Sequence, residues 1–351
     1  QISPIFEEQL IESVGDSDVY KCKIALDEFS LLKPYIREID ELENEGIIKY
    51  RDGQWHYNDI ELLKQDKSPN FEVNLSDAMS EPYKVFNGNK FLEDMNEKQA
   101  FREAHENAVL IHNGDTYIVR EMNIKEKRIY VKKQEVNFHT QALKEVDIKN
   151  LKKEKEEKLG EITLCYGKLT VTEKYDKYNI MNFNKITASK KLNLPPLEFK
   201  TKGLWFTIPY YIKESLEEYL VSDTKFSDLF MGCLQGVENV LLSVAPFHVM
   251  CDTYDLGGVC KNMHEDTMNT TIFIYDGFEG GVGLTDKAFK LFENIIKMAY
   301  ELIRDCECES GCPACIYSSQ NQTDDKHLNK EGTLLILKEL HETIKNSKKI
   351  V

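Results

Sequence analysis

The sequence predicts an α+β chain in three parts: a winged-helix-like module over 1–68, a small antiparallel β module over 69–148, and a metal-stabilised α/β C-terminal domain with a β-rich lead-in over 149–351. Three observations carry this: helix-then-hairpin patterning near the start, short alternating strands in the middle, and four cysteines within ten residues near the end. At roughly 100–200 residues per domain, 351 residues with 41% apolar content supply more than one core. Large apolar residues are spread over the whole length, which excludes disorder. The most apolar stretch, 240–250, carries Pro246 and His248 and is too short to span a membrane, so no membrane partner is expected. Gln1 opens the chain in place of Met, and the sequence is expected to be a piece of something longer, so its net charge of −15 describes the piece.

Over 1–66, Leu32, Ile36, Ile39 and Leu42 recur at helical spacing, Gly46 stops the helix, and residues 47–57 alternate around Asp52-Gly53. Helix, stop and two-stranded wing make the winged-helix pattern. A 33–45 helix that read bases would lie in a major groove. However, this segment holds seven basic against sixteen acidic residues, a net of −9, which favours packing or protein contact over reading DNA.

From 83 to 146 short strands are expected at 108–112, 116–120 and 128–132, separated by polar turns. Residues 116–133 hold Arg120, Lys125, Lys127, Arg128, Lys132 and Lys133 against Glu121 and Glu126, interleaved with Tyr117 and Tyr130. Such a stretch suits a nucleic-acid backbone, and equally a solvated strand face. The mixed-charge run 149–158 reads as a solvated connector. Strands follow at 161–166 and 168–172, then a second basic stretch with Lys185, Lys190, Lys191, Lys200 and Lys202 against Glu198. A strand at 204–209, apolar-faced helices over 226–241 and 284–303, a buried strand at 270–275 and a last helix over 330–345 complete the reading.

The strongest chemical signal is Cys306-x-Cys308-x3-Cys312-Pro-Ala-Cys315. Four thiolates so close repel one another unless a cation joins them, and a CxxC knuckle suits tetrahedral Zn²⁺. Four sulfurs leave no open position for water, so one structural Zn²⁺ per chain is expected. An iron–sulfur cluster is the rival, although the spacing fits neither common ferredoxin pattern. The other five cysteines are scattered, which suits a reducing compartment such as the cytoplasm. The glycine-rich turn 276–284, between strand and helix, is either a tight packing turn or a weak anion site. Asp252, Asp255 and Asp276, with His248 and His264 nearby, could assemble a metal-dependent nuclease, or serve as capping carboxylates. Neither a Walker A lysine motif nor a strand-borne DExx box occurs, so no ATP hydrolysis is expected of this piece.

Five segments then occur in order: Leu197-Glu-Phe-Lys-Thr-Lys-Gly-Leu-Trp-Phe206, Cys251-Asp-Thr-Tyr-Asp-Leu-Gly257, Ile274-Tyr-Asp-Gly-Phe-Glu-Gly-Gly-Val-Gly-Leu284, the cysteine cluster through Ile316, and His327-Leu-Asn-Lys330. The series resembles the C-terminal region of DEAD/DEAH-box DNA helicases of the MrfA type, which ends in the MrfA zinc-binding domain. The resemblance implies zinc on Cys306, Cys308, Cys312 and Cys315, and a non-catalytic accessory region beside N-terminal RecA-like domains that bind ATP and Mg²⁺. It further implies a bacterial, nucleoid-associated role in DNA repair, with single-stranded or tailed duplex DNA as partner. Candidate contacts are Arg120, Lys125, Lys127, Arg128, Lys132, Lys133, Lys190 and Lys191. The alternatives are a protein-interaction or scaffold subunit of a repair or phage-defence complex and, more remotely, the nuclease.

Overall fold

The computed structural model describes residues 23–24, 40, 42–44, 46, 48–51, 54–57, 81–183, 185–220, 225–318 and 327–348, in two compact units, Gln1–Glu81 and Pro82–Val351. In the first unit, β1 (Lys23–Ile24), β2 (Ile48–Arg51) and β3 (Gln54–Tyr57) form an antiparallel sheet in the order β1-β3-β2. A hairpin therefore stands at the residues where the wing is expected, with Ile48 opposite Tyr57 and Arg51 opposite Gln54. Residues 40 and 42–44 are helical, and Gly46 leaves the helix at φ 77°, its N–H donating to the Glu43 carbonyl at 3.1 Å. The rest of the helix expected at 33–45 lies outside the described residues.

The second unit opens with a curled five-stranded sheet. Its strands are β4 (Tyr83–Asn87), β5 (Lys90–Met95), β6 (Val109–His112), β7 (Asp115–Asn123) and β8 (Arg128–Lys133), ordered β5-β4-β8-β7-β6. Its pairings are antiparallel except that β4 and β8 run parallel. Strands β5 and β6 end the order, yet His112 Nδ1 meets Glu93 Oε1 at 2.8 Å, so the sheet bends round on itself. Helix α1 (Glu97–Glu103), capped by Asn96 Oδ1 accepting from the Gln99 N–H at 2.7 Å, lies between β5 and β6 in sequence and buries Phe101 against Tyr83.

Two strands of 21 residues, β9 (His139–Leu159) and β10 (Ile162–Asn182), then form a long hairpin. One edge of β10 pairs with β9; the other carries β11 (Lys185–Lys191) at one end and β12 (Leu197–Thr207) at the other. Strands β14 (Thr271–Asp276) and β13 (Leu256–Lys261) extend the sheet beyond β12. Residues 149–158 correct the expected connector: they are strand, paired along β10. The expected domain boundary at 148/149 falls within β9. Tyr175 and Tyr178 of β10 pack into the core of the five-stranded sheet, while Ile162 and Leu164 of the same strand pack under the C-terminal helices.

Those helices are α2 (Tyr210–Tyr219), α3 (Phe226–Val249), α4 (Leu284–Lys290), α5 (Phe292–Asp305) and α6 (Lys330–Ser347). The helix expected over 284–303 is two, because the Leu291 N–H is shared between the Lys287 and Ala288 carbonyls and the turn tightens there. Helix α3 extends well beyond the apolar stretch at 240–250. It is long and apolar enough to cross a membrane, yet most of its apolar length is buried in the protein, the position of a core helix. A Cβ on Gly232 would stand 1.8 Å from the His327 carbonyl oxygen, so only glycine lets the segment before α6 lie this close to α3.

Candidate metal centre

Helix α5 ends at Cys306 and delivers it to a knuckle in which four sulfurs converge. Cys306 Sγ is 3.5 Å from Cys308 Sγ and 3.6 Å from Cys312 Sγ, and Cys315 Sγ is 3.5 Å from Cys308 Sγ and 3.7 Å from Cys312 Sγ. A tetrahedral ion with Zn–S bonds of about 2.3 Å sets its sulfurs about 3.8 Å apart. All four lie within 4.8 Å of one another, and none is in a disulfide. A cubane cluster puts each cysteine on a separate iron and needs wider spacing. The residues therefore fit one tetrahedral ion.

The knuckle is built to hold this arrangement. Cys312 N–H donates to Cys315 Sγ at 3.2 Å, and the Cys315 and Tyr317 N–H groups both donate to the Cys312 carbonyl. Gly311 sits at φ 117°, where an L side chain is strained and a Cβ would also strike Ile316 Cδ1 at 2.6 Å. Ile316 is buried in the helical core, and the buried Asn239 of α3 donates through Nδ2 to its carbonyl at 2.9 Å. Lys330, the first residue of α6, donates through Nζ to the Cys306 and Cys308 carbonyls at 2.6 and 2.5 Å. Its positive charge stands beside a site that would carry −2 with Zn²⁺ and four thiolates.

The thiols cannot all ionise without a cation. Burial pushes Cys315 up to about 12, whereas against desolvation the hydrogen bonds from Cys306, Cys315 and Lys330 draw Cys308 down to about 6. The scattered cysteines behave as packing residues: burial raises Cys165 and Cys260, and pushes Cys251 to about 11 and Cys233 to about 12. Cys22 lies outside the described residues.

The other candidate chemistry is used structurally. Buried Asp276 accepts from the Val282, Gly283 and Thr285 N–H groups at 2.7–2.8 Å, so the amides of the glycine-rich turn already have their anion, supplied by the chain. Asp252 and Asp255 form a reciprocal capping box on the short turn Thr253–Asp255. His264 bonds the Ile148 carbonyl through Nε2 and accepts from the Asp266 N–H through Nδ1. Among the described residues, the cysteines are the one group of three or more metal-ligating side chains that converge, so the carboxylates named for a nuclease do not form a centre.

The basic candidates divide between two sheets. Arg128 and Lys132 are exposed on β8, and Lys125 lies in the turn before it. Arg120 donates to Gln134 Oε1 at 2.8 Å, Lys133 pairs with Asp115 at 2.6 Å, and Lys127 lies over the Tyr83 ring. Lys190 and Lys191 are exposed on β11, beside Tyr178 and Lys177 of β10. Lys202 is engaged by Glu154 at 2.6 Å, and Tyr117 points into the core. Asn239 stands inside an apolar run, where a lone amide on a core helix is its one mark in the sequence.

The MrfA Zn-binding domain model matches residues 237–316, which include all four cysteines. The chain is similar to YprA of Bacillus subtilis, described as an uncharacterized ATP-dependent helicase, at 31% identity over 230 residues, covering 65% of this chain and 29% of that protein. It is 31% identical over 112 residues to the uncharacterized protein MJ1572.1 of Methanocaldococcus jannaschii, covering 30% of this chain and 98% of that one. A crystal structure of the helicase MrfA bound to DNA superposes with a TM-score of 0.52 at 25% identity, covering 86% of this chain and 39% of that one. The motif segments 197–206 and 274–284 are adjacent in the fold, as β12 and as β14 with its turn, and 251–257 leads into β13 beside them. The chain belongs to the MrfA-type helicase family and corresponds to its C-terminal region, carrying the MrfA zinc-binding domain.

Proposed function

We propose that this chain is the non-catalytic accessory region of an ATP-dependent superfamily 2 DNA helicase, holding a nucleic-acid strand beside RecA-like motor domains. A cytoplasmic role in DNA repair is part of the proposal. The observation that carries it is the four-sulfur knuckle inside the matched zinc-binding domain, in a chain spanning about three tenths of a helicase relative's length. One Zn²⁺ per chain on Cys306, Cys308, Cys312 and Cys315 would tie α5 to α6, and its binding energy would be folding energy for this end of the molecule. ATP and Mg²⁺ would act in the motor domains alone. The exposed cations of β8 and β11 support the strand-holding role.

The test is binding of single-stranded DNA across a salt series. A gripping surface gives affinity that falls steeply with salt, and changing Lys125, Arg128 and Lys132 together to Glu should flatten the log–log slope by about 2, at roughly 0.7 per lost phosphate contact. An unchanged slope would remove these residues from the contact. A second reading, a protein-interaction subunit, is favoured by the net −9 over 1–66. No DNA binding at low salt, with a stable complex to a protein partner, would select it.

A further inference from the structure

The five-stranded sheet presents three aromatic rings on its outward face. In β8, Ile129 and Val131 are buried, so Arg128, Tyr130 and Lys132 face out; in β4, Tyr83 and Val85 are buried, so Lys84 and Phe86 face out. The parallel register sets Lys84 beside Arg128 and Phe86 beside Tyr130, and the β4–β5 hairpin sets Phe91 opposite Phe86. Ring centroids are 6.1 Å apart for Phe86 and Tyr130 and 5.9 Å for Phe86 and Phe91, and Phe91 is 48% exposed. Lys84, Arg128 and Lys132 make no ion pair among the described residues, whereas Lys133, alternating to the other face, is held by Asp115. Asp94, opposite Lys84, and Glu121, opposite Tyr130, are the carboxylates in register with this face.

Clustered rings with unspent cations between them suit a ligand that is both flat and anionic. A neutral apolar partner would cover the rings and leave three ammonium or guanidinium groups to be desolvated. Single-stranded nucleic acid offers a π-face and a phosphate in every unit. We infer that this face binds single-stranded nucleic acid by stacking unpaired bases on Phe86, Phe91 and Tyr130, with Lys84, Arg128 and Lys132 against the phosphates. The inference rests on the proposed strand-holding role and adds to it the part of the strand that is gripped. Stacking is tolerant of sequence, and a duplex, whose bases already stack on each other, is a poor ligand.

The experiment compares binding of the full chain to oligothymidylate and to an abasic oligonucleotide of equal length and charge, by fluorescence anisotropy at low salt. Oligothymidylate should bind at least tenfold more tightly, since each stacked base contributes roughly that factor or more. The Phe91→Ala/Tyr130→Ala variant should lose at least tenfold for oligothymidylate, keep its abasic affinity and keep its salt slope. Tyr130→Phe, which preserves the ring, should bind as the parent does. Phe91→Ala alone, at an exposed position, keeps the test open if the double variant fails to fold. Equal affinity for the two oligonucleotides, or no loss in the alanine variants, would overturn the stacking while leaving a strand-holding role intact. Absence of binding to either at low salt would overturn both.

Discussion

Asp276→Asn separates a structural carboxylate from a chemical one. The side chain is fully buried, with Oδ2 accepting from the Val282 and Gly283 N–H groups at 2.7 and 2.8 Å, and Oδ1 from the Thr285 N–H at 2.8 Å. Asn has one acceptor oxygen. If that oxygen serves Val282 and Gly283, the amide nitrogen confronts the Thr285 N–H, donor against donor. Leaving one buried N–H unpaired costs about 1–3 kcal/mol, and turning two charge-assisted bonds into neutral ones costs about 1 kcal/mol more. The expected loss is about 2–4 kcal/mol. At about 2–4 °C per kcal/mol for a domain of this class, the melting temperature should fall by roughly 5–15 °C, and urea unfolding should show a lower midpoint with an unchanged slope. Asp276→Ala, which abandons all three N–H groups, should fall further. A stability change below about 1 kcal/mol would refute the claim that this carboxylate holds the glycine-rich turn. A Mg²⁺-dependent cleavage lost at unchanged stability would point instead to the nuclease.

Lys330→Met keeps the alkyl stem but removes the ammonium that bonds the Cys306 and Cys308 carbonyls; zinc affinity by chelator competition should drop about 10–100-fold, and an unchanged affinity would count against its role. Buried Glu173 is 3.7 Å from Lys144 Nζ and accepts from the Tyr275 hydroxyl at 3.2 Å; against desolvation, Lys144 and Lys98 hold its carboxyl below the usual range. A depressed carboxyl stabilises the fold above its unfolded pKa, and that stability fades as pH falls through the folded value. Lys144→Met should therefore cost less at neutral pH than the about 3–5 kcal/mol of a fully stranded buried charge, because Lys98 and the Tyr275 hydroxyl still act on Glu173, and the gap from the parent should narrow as pH falls and Glu173 of the variant protonates first; a gap independent of pH would refute the coupling. Gly232→Ala puts a methyl 1.8 Å from the His327 carbonyl oxygen and should destabilise by about 1–3 kcal/mol or more in urea unfolding; a neutral result would mean that the segment before α6 can shift away from α3.

The elements legible in the sequence were those whose pattern is local. The strands at 109–112 and 128–133 alternate and are bounded by turns, α3 and α6 repeat apolar residues at helical spacing, and the four cysteines lie close in sequence as well as in space. Residues 149–158 gave no such signal, because that part of β9 is exposed and carries little alternation. What holds it is remote: pairing along β10, Glu154 with Lys202, and Lys155 with Asp286. The glycine-rich turn was legible as a turn, but not that Asp276 fills it, since the amides converge on the carboxylate through the return of the chain. Likewise, Phe86 and Tyr130 stand 44 positions apart in sequence and become neighbours through the one parallel pairing of their sheet.

Elemental analysis of the purified chain tests whether it carries the zinc of a helicase C-terminal region. The expected result is one zinc per chain, lost together with the C-terminal unit's cooperative unfolding in the Cys312→Ser/Cys315→Ser variant. Stoichiometric iron, or no metal in a folded chain whose four thiols all react freely, would contradict it.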